Sequence, residues 1–193
     1  STLSSSSAAS DVYKRQEKEN GAVFSHMAVM YANALYRRGF VQEGWKALKT
    51  LADTALDFDT SRIYPGIPEY FRADGRGMYH YLTGAASWYM MTMITQVFGV
   101  RGEAGDLLLQ PKLTAAQFDA EGSASVHVTF AGRRLEIRCQ NPGRLEYGQY
   151  RVQKVLCGDA ELCAGSCDSV IIPRRVIEAL PAEQKQVFTV YLG

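Results

Sequence analysis

The feature that most constrains the fold of this sequence is a change of hydrophobic pattern close to Gly99. Before this glycine, apolar residues recur at the three- and four-residue spacing of helices. After it, short runs alternate apolar and polar residues, which is typical of strands with one buried face. The sequence therefore predicts a helical domain at residues 17–103 and a strand-rich domain at residues 104–193, with the boundary near residues 99–105.

Three helices are predicted in the first part of the chain, at residues 25–38, 41–56 and 83–98. Ser25 is a possible N-cap of the first helix, and Gly39 supplies its end. The third helix is apolar nearly all round, which indicates that neighbours cover it, so the three helices are expected to be a slice of a larger helical domain. The predicted core-facing residues of the first two helices are Met27, Met30, Tyr31, Ala34 and Leu35, and then Trp45, Leu48, Leu51, Ala52 and Ala55.

Six short strands are predicted in the second part of the chain. Turns at residues 131–133 and 141–144 separate the clearest of them. Such a run of short strands and turns is typical of a small antiparallel β-sandwich. The predicted strands cover residues 106–110, 125–130, 135–140, 150–156, 169–172 and 187–192.

The composition gives no electrostatic reason to expect nucleic acid or an anionic membrane as a partner. The 193 residues include 21 Lys and Arg against 20 Asp and Glu, for a net charge of +1. Residues 77–100 lack charged side chains, but polar residues spread along them favour a buried helix over a membrane span. The four cysteines match no metal-binding spacing, so reduced thiols, a cytoplasmic location and no metal are expected.

The first sixteen residues are predicted to be a disordered or artefactual leader. Residues 1–10 are a low-complexity run of mainly serine and alanine, which cannot pack a core. Residues 11–16 resemble the translation of a transposon end used to prepare sequencing libraries. The natural protein is therefore expected to be visible only from Glu17 and to continue upstream of it.

Two predicted helix starts carry groups suited to an anion. His26 lies at the start of the first helix, and Thr83 and Gly84 begin the third. An imidazole, a threonine hydroxyl and free helix N–H groups can all donate to a phosphate oxygen, and glycine lets a ligand approach the backbone. Two structural alternatives remain open: a histidine satisfied by a backbone carbonyl, and an ordinary threonine cap.

Three charged residues are candidates for contacts with sugar hydroxyls. Lys18 can donate and Glu19 and Glu69 can accept hydrogen bonds, although such residues on a surface are usually only solvated. His80 and His127 are interpreted as structural or surface residues. No nucleophile–base set and no glycine-rich phosphate loop is found in the sequence.

The order of several motifs resembles the C-terminal part of glycoside hydrolase family 94, which includes cellobiose and chitobiose phosphorylases. The resemblance covers residues 17–113, and the strand-rich tail fits the family's closing β-domain. It implies the last helices of an (α/α)6 barrel followed by a jelly-roll-like domain. The motifs are Lys18-Glu19-Asn20-Gly21, Ser25-His26-Met27, Tyr81-Leu82-Thr83-Gly84 with Ala86 and Trp88, Phe98-Gly99-Val100-Arg101 and Leu109-Gln110-Pro111.

The resemblance implies inverting phosphorolysis of a β-linked gluco-oligosaccharide or disaccharide, giving α-glucose 1-phosphate. Inorganic phosphate would be the co-substrate, with no cofactor, and the catalytic Asp would belong to a segment upstream of this chain. By motif position, His26, Thr83 and Gly84 would bind phosphate, and Lys18 and Glu19 the acceptor sugar. Glu69 is a weaker match to a donor-sugar position.

The resemblance leaves other functions open. An (α/α)6 glycoside hydrolase or a cyclic β-1,2-glucan synthase-type module would share the barrel, and a non-catalytic carbohydrate-binding or packing module would need only the β-domain. The parent protein is expected to be a homodimer, and the isolated chain is expected to be inactive. The β-linkage and the acceptor sugar are not determined by these residues.

Overall fold

The computed structural model describes residues 21–64, 66–79 and 84–193, which form two compact units divided between Met90 and Met91. The fold mixes helices with several small sheets, and the described helices do not close into a barrel. None of the helices in these ranges is both long and apolar enough to span a membrane.

The first unit is built on a pair of helices and a small sheet. The three strands pair antiparallel in the order β1-β2-β3. The helix α4 begins in this unit and continues beyond the division as a π-helix at Met93–Val97. The elements are β1 at Val23–Phe24, α1 at Ser25–Arg37, α2 at Val41–Leu56, α3 at Phe58–Ser61, β2 at Tyr70–Phe71, β3 at Gly77–Met78 and α4 at Gly84–Thr92.

Helices α1 and α2 pack closely because one residue between them has no side chain. A Cβ atom on Gly44 of α2 would lie 2.6 Å from Cδ2 of the buried Tyr36 on α1. The turn between the helices is short, with Gly39 in the left-handed region at φ +84°. The predicted pair of adjacent helices is therefore confirmed, with bounds within one residue of those expected.

The prediction of which face of α1 is buried was wrong. Met27, Met30 and Tyr31 are 57%, 38% and 62% exposed. The helix carries apolar residues on two faces, so periodicity alone could not decide which of them meets α2. Ser25 is also the first helical residue rather than the cap, which is Phe24 and makes no side-chain capping bond. The buried residues of α1 are Ser25, Val29, Ala32, Asn33 and Tyr36.

Helix α4 is less covered than its composition predicted. Ala85 is fully buried, but Met90 and Met91 are 62% and 41% exposed. Its attachment within the first unit includes the Tyr89 hydroxyl, which donates to the main-chain oxygen of Leu48 on α2 at 3.4 Å. Burial raises the pKa of the Tyr89 phenol, so this group stays neutral and can donate.

The second unit holds eight strands in two sheets. One has three strands in the antiparallel order β10-β5-β4, and the other has five in the order β6-β7-β11-β8-β9. All six predicted strands are present, while β4 and β9 were not predicted. The elements are β4 at Val100–Glu103, β5 at Asp106–Leu109, β6 at Ser123–Phe130, β7 at Arg133–Gln140, β8 at Val152–Cys157, β9 at Ala160–Cys167, β10 at Val170–Ile172, α5 at Arg174–Glu178 and β11 at Gln186–Leu192.

The five-stranded sheet is mixed, which corrects the expectation of a purely antiparallel domain. Strand β11 pairs antiparallel with β8 but parallel with β7, where Phe188 lies opposite Ile137. One face of the sheet is apolar and buried, as in a sandwich-like domain. The chain reaches β11 from α5 rather than by a hairpin from β7, and this route permits the parallel pairing. The buried residues include Leu135, Ile137, Cys139, Val152, Val155, Phe188, Val190 and Leu192.

The start of the second unit depends on a glycine at the end of the π-helix. Gly99 has φ +65°, and its main-chain oxygen accepts from the N–H of Gln110 at 3.0 Å. A Cβ atom at this position would lie 1.7 Å from the main-chain oxygen of Gln110. The Arg101 guanidinium donates to Gln110 Oε1 at 2.7 Å and to the main-chain oxygen of Thr95 at 3.2 Å. Together these bonds fix the π-helix to the β4–β5 hairpin.

A cluster of charges surrounds Glu136 on β7, whose side chain is only 6% exposed. Its Oε1 accepts from Arg138 Nη2 at 2.6 Å, and its Oε2 accepts from Lys185 Nζ at 2.5 Å. His127 Nε2 lies 3.4 Å from the same Oε2. Hydrogen bonds from Lys185 and then Arg138 lower the pKa of the Glu136 carboxyl to about 2. The buried carboxylate is therefore charged and compensated at neutral pH.

Substitution of Gly99 by alanine is expected to destabilise the chain strongly. Gly99→Ala combines a left-handed backbone with a clash against Gln110 and should lower the free energy of unfolding by about 3 kcal/mol or more. Gly105→Ala is the matched control, since Gly105 has φ +93° but no atom within 4 Å of its added Cβ. The free energy of unfolding of the control should fall by only about 1 kcal/mol. Equal losses in urea unfolding would contradict the packing argument.

The Glu136 cluster predicts a pH-dependent loss on substitution. Because the folded pKa is depressed, the stabilisation is present above the ordinary glutamate pKa and is lost as the pH falls from about 5 toward 2. Glu136→Gln should therefore lower the free energy of unfolding at pH 7 by about 1–2 kcal/mol, a figure reduced for the solvent around Lys185 and Arg138. The difference from the unsubstituted chain should shrink toward pH 2, whereas the exposed Glu121→Gln should show little effect at any pH. A difference independent of pH would count against the ion cluster.

Candidate functional site

The predicted phosphate ligand His26 is the second residue of α1, where the short sheet holds the helix start. Phe24 on β1 pairs with Tyr70 on β2. The main-chain N–H of Ser25 donates to the main-chain oxygen of Glu69 at 2.9 Å. The backbone around Glu69 therefore fixes the position from which the His26 side chain leaves.

His26 and Gly84, two residues predicted to share a site, do lie together. A Cβ atom on Gly84 would lie 3.1 Å from both Cε1 and Nδ1 of the His26 imidazole. This distance is tighter than ordinary side-chain packing, so the ring rests directly on the start of α4. The absence of a side chain at Gly84 is what allows the contact.

Two buried polar atoms at the start of α1 lack partners among the described residues. They are the hydroxyl oxygen of Ser25 and Nε2 of His26. Leaving a buried donor or acceptor unsatisfied costs about 1–3 kcal/mol, so native proteins rarely do it without a reason. A polar group that the described residues do not supply would offset this cost. The pair therefore needs a polar partner from outside the described residues, either from another part of the chain or from a ligand.

Aromatic rings surround the histidine, and sequence reasoning assigned them no role. The ring centroids of His26 and Trp88 lie 5.7 Å apart, and those of His26 and Phe24 lie 5.9 Å apart. Phe24 stacks on Tyr70 at 4.7 Å, and Tyr70 meets Tyr79 edge-on at 6.0 Å. The rings alternate between β1, α1, β2 and α4, so only tertiary structure brings them together.

Tyr79 is the member of this cluster most available to a ligand. It is 41% exposed and has φ +60°, a left-handed conformation that is uncommon for an aromatic residue. Strained backbone of this kind is concentrated at ligand-binding sites. The preceding segment 66–78 contains the β2–β3 hairpin, which delivers Tyr79 beside Tyr70.

The other predicted ligands are only partly placed by the structure. Lys18, Glu19 and Thr83 lie outside the described residues. Glu69 is half-buried, and its main chain is bonded to Ser25 and to Tyr79. The described site therefore brings together His26, Gly84 and the backbone of Glu69.

A cavity in the first unit does not coincide with this site. It has a volume of about 530 Å³ and lies between α1, α2 and the residues around β2. Its walls are mainly apolar, and Lys46 and Glu43 are among the few charged side chains there. We place the candidate site at His26 because unsatisfied polar groups, rather than volume, indicate a polar ligand. Within the described ranges, no three His, Cys, Asp or Glu side chains are grouped to hold a metal ion.

Comparison with known proteins gives one informative similarity. No protein-family profile matches the chain. The cellobionic acid phosphorylase of Neurospora crassa is 29% identical in an alignment 112 residues long, and the alignment covers 51% of this chain. The aligned part covers only 14% of the length of that protein. The chain therefore has a distant similarity to a phosphorylase, at the level of a family 94-like relationship.

A double-substitution cycle tests the contact between His26 and Gly84. Gly84→Ala should be less favourable with His26 present than in a His26→Ala background, with a coupling of about 0.5–1 kcal/mol in the free energy of unfolding. The matched control combines Gly84→Ala with Met27→Ala, whose side chain is exposed, and these two changes should be additive. Additivity of the His26 pair would contradict direct packing of the ring on α4.

Proposed function

We propose that this chain is part of a glycoside phosphorylase that cleaves a β-linked gluco-oligosaccharide or disaccharide with inorganic phosphate. The observation that carries the proposal is Nε2 of His26, which lies beside the start of α4 and is buried without a partner among the described residues. The distant similarity to a phosphorylase supports the same reaction class. The (α/α)6 barrel, of which the described helices would be the last part, belongs to this proposal.

His26 would bind the phosphate co-substrate together with Gly84 and Thr83. A neutral imidazole donates from one nitrogen and accepts at the other, and Nε2 is the nitrogen left without a described partner. With Nε2 protonated, it would donate to a phosphate oxygen, and the free N–H groups of a helix start favour the same anion. Glycine at position 84 would keep that backbone open to the ligand.

In the proposed reaction, phosphate attacks the anomeric carbon while an acid protonates the departing glycosidic oxygen. The bond from the anomeric carbon to the leaving sugar breaks as the bond to phosphate forms, which inverts the configuration and gives α-glucose 1-phosphate. Phosphate thus takes the place that water has in an inverting hydrolase. The acid would be an Asp that this chain does not contain, so the chain supplies binding groups and no catalytic residue. No cofactor is involved.

The proposal also assigns contacts to the two sugars. Lys18 and Glu19 would contact the acceptor sugar, and Glu69 the donor sugar. Tyr79 adds an exposed aromatic face close to Tyr70, and such faces suit the apolar side of a pyranose ring. The proposed parent protein is a cytoplasmic homodimer with neither nucleic acid nor membrane as a partner.

Phosphate titration of the purified chain tests the site. The imidazole ¹⁵N resonances of His26 should shift with inorganic phosphate, because the anion meets Nε2 directly. His26→Asn should weaken this binding about tenfold or more, since a charge-assisted hydrogen bond is lost. Lys49→Gln, which removes an exposed charge from α2, is the matched control and should leave binding unchanged. An unmoved His26 resonance, or equal affinities for the two variants, would overturn the proposed phosphate site.

The purified chain also tests the proposal that it binds phosphate but lacks the catalytic acid. Without an acid, the chain should bind phosphate and yet catalyse no transfer. Release of phosphate from α-glucose 1-phosphate and glucose by the purified chain would contradict the placement of the acid upstream.

A further inference from the structure

The Glu136 cluster belongs to a larger group of charged side chains on the outer face of the five-stranded sheet, opposite its buried face. Side chains alternate along β7, so Leu135 and Ile137 enter the core while Arg134, Glu136 and Arg138 share the opposite face. Strand β6 adds His127 opposite Glu136 and Thr129 opposite Arg134. This juxtaposition creates a polar surface on a rigid support.

The cations of this surface outnumber its carboxylate. Glu136 is shared by Arg138 and Lys185, and His127 lies beside it. Arg134 donates from Nη2 to the main-chain oxygen of Glu183 at 2.8 Å, which orients the guanidinium without neutralising it. Among the ion pairs of the described residues, none involves Arg134. Three permanent cations thus face one carboxylate, before His127 is counted.

A cavity opens where the uncompensated charge lies. It has a volume of about 310 Å³, and cationic, imidazole and hydroxyl side chains line it. This size is at the lower end for small-molecule sites and suits a monosaccharide better than a larger ligand. The lining residues are His127, Val128, Thr129, Arg134, Leu135 and Lys185.

Hydrogen bonds to Glu136 and to the main chain of Glu183 hold Lys185 and Arg134 in place. Its carboxylate fixes Lys185 with one hydrogen bond, which leaves two of the three ammonium protons for another acceptor. Arg134 retains its Nε and Nη1 donors after the bond to Glu183. Preoriented donors of this type bind oxyanions, and a guanidinium can engage two oxygens of one phosphate or carboxylate.

We propose that the His127–Arg134–Lys185 cavity binds a small sugar-sized molecule through its oxyanion, either a phosphate ester or a carboxylate. Arg134 and Lys185 hold the anion, while Thr129 and His127 contact the rest of the ligand. This site is independent of the His26 site and requires no phosphorylase activity.

Titration of the full chain with three related sugars tests the proposal. The probes are glucose 6-phosphate, glucuronate and neutral glucose. Each is added at an ionic strength of about 0.15 M, at which diffuse attraction between charges is largely screened. The readouts are the His127 imidazole and the backbone amides of Thr129 and Arg134 in ¹H–¹⁵N spectra. At least one anionic sugar should shift these resonances and glucose should not; the active anion identifies the ligand as a phosphate ester or a carboxylate.

Matched variants separate a binding site from a charged surface. Arg134→Gln should weaken binding of the active anion about tenfold or more. Arg151→Gln removes the same charge from an exposed arginine of the same unit, paired with Asp168, and should have no effect. His26→Asn should also have none, which separates this cavity from the proposed phosphate site.

Arg134→Lys should bind the active anion more tightly than Arg134→Gln but less tightly than the unsubstituted chain. Lysine keeps the positive charge but cannot engage two oxygens of the anion as a guanidinium does. Thermal unfolding followed by circular dichroism shows that each variant is folded. Shifts with glucose equal to those with the anions, no shift with any probe, or equal affinities for Arg134→Gln and Arg151→Gln would overturn the proposal.

Discussion

The pairing of β11 on both of its edges is the interaction on which the second unit depends. This strand lies between β7 and β8, so it joins the β6–β7 hairpin to the β8–β9 hairpin in one sheet. Its inward residues Phe188, Val190 and Leu192 are almost completely buried and extend the apolar face of both neighbours. Without this strand, each hairpin would have a second open edge, at β7 or at β8, and half of a core. The same pairing supports the outer face that carries Glu136 and Arg134.

The first unit organises its polar site through residues that have small or no side chains. Gly44 lets α2 approach Tyr36, and Gly84 lets α4 approach His26. Nε2 of His26, whose ring rests against Gly84, is buried and has no partner among the described residues. A buried polar atom in a tightly packed setting is costly unless a partner completes it, and this cost is the physical basis of the phosphate site that we propose.

Much of the local structure could be predicted from the sequence, but the contacts of the site could not. The alternation at residues 125–130 and 135–140 identified strands because only one sheet face is buried. Strand β9 was missed because Ala160–Cys167 contains a glycine and small or polar residues in place of β-branched ones. The cluster of Phe24, Tyr70 and Tyr79 was also missed, since its members come from separate strands and a loop. His26 and Gly84, which motif order predicted to share a site, lie in contact.

The sequence by itself identified the change from helix-type to strand-type pattern near Gly99, the helices α1 and α2, the six predicted strands and the residue types that suit a phosphate and a sugar. Periodicity and turn chemistry are local properties, so they can be recognised without knowledge of the fold. Tertiary structure alone decided that Met27 and Tyr31 are exposed while Val29 is buried. It also decided that β11 runs parallel to β7, and that Arg134 and Lys185 meet over one cavity. These features depend on which distant segments pack together, and no local pattern encodes that choice.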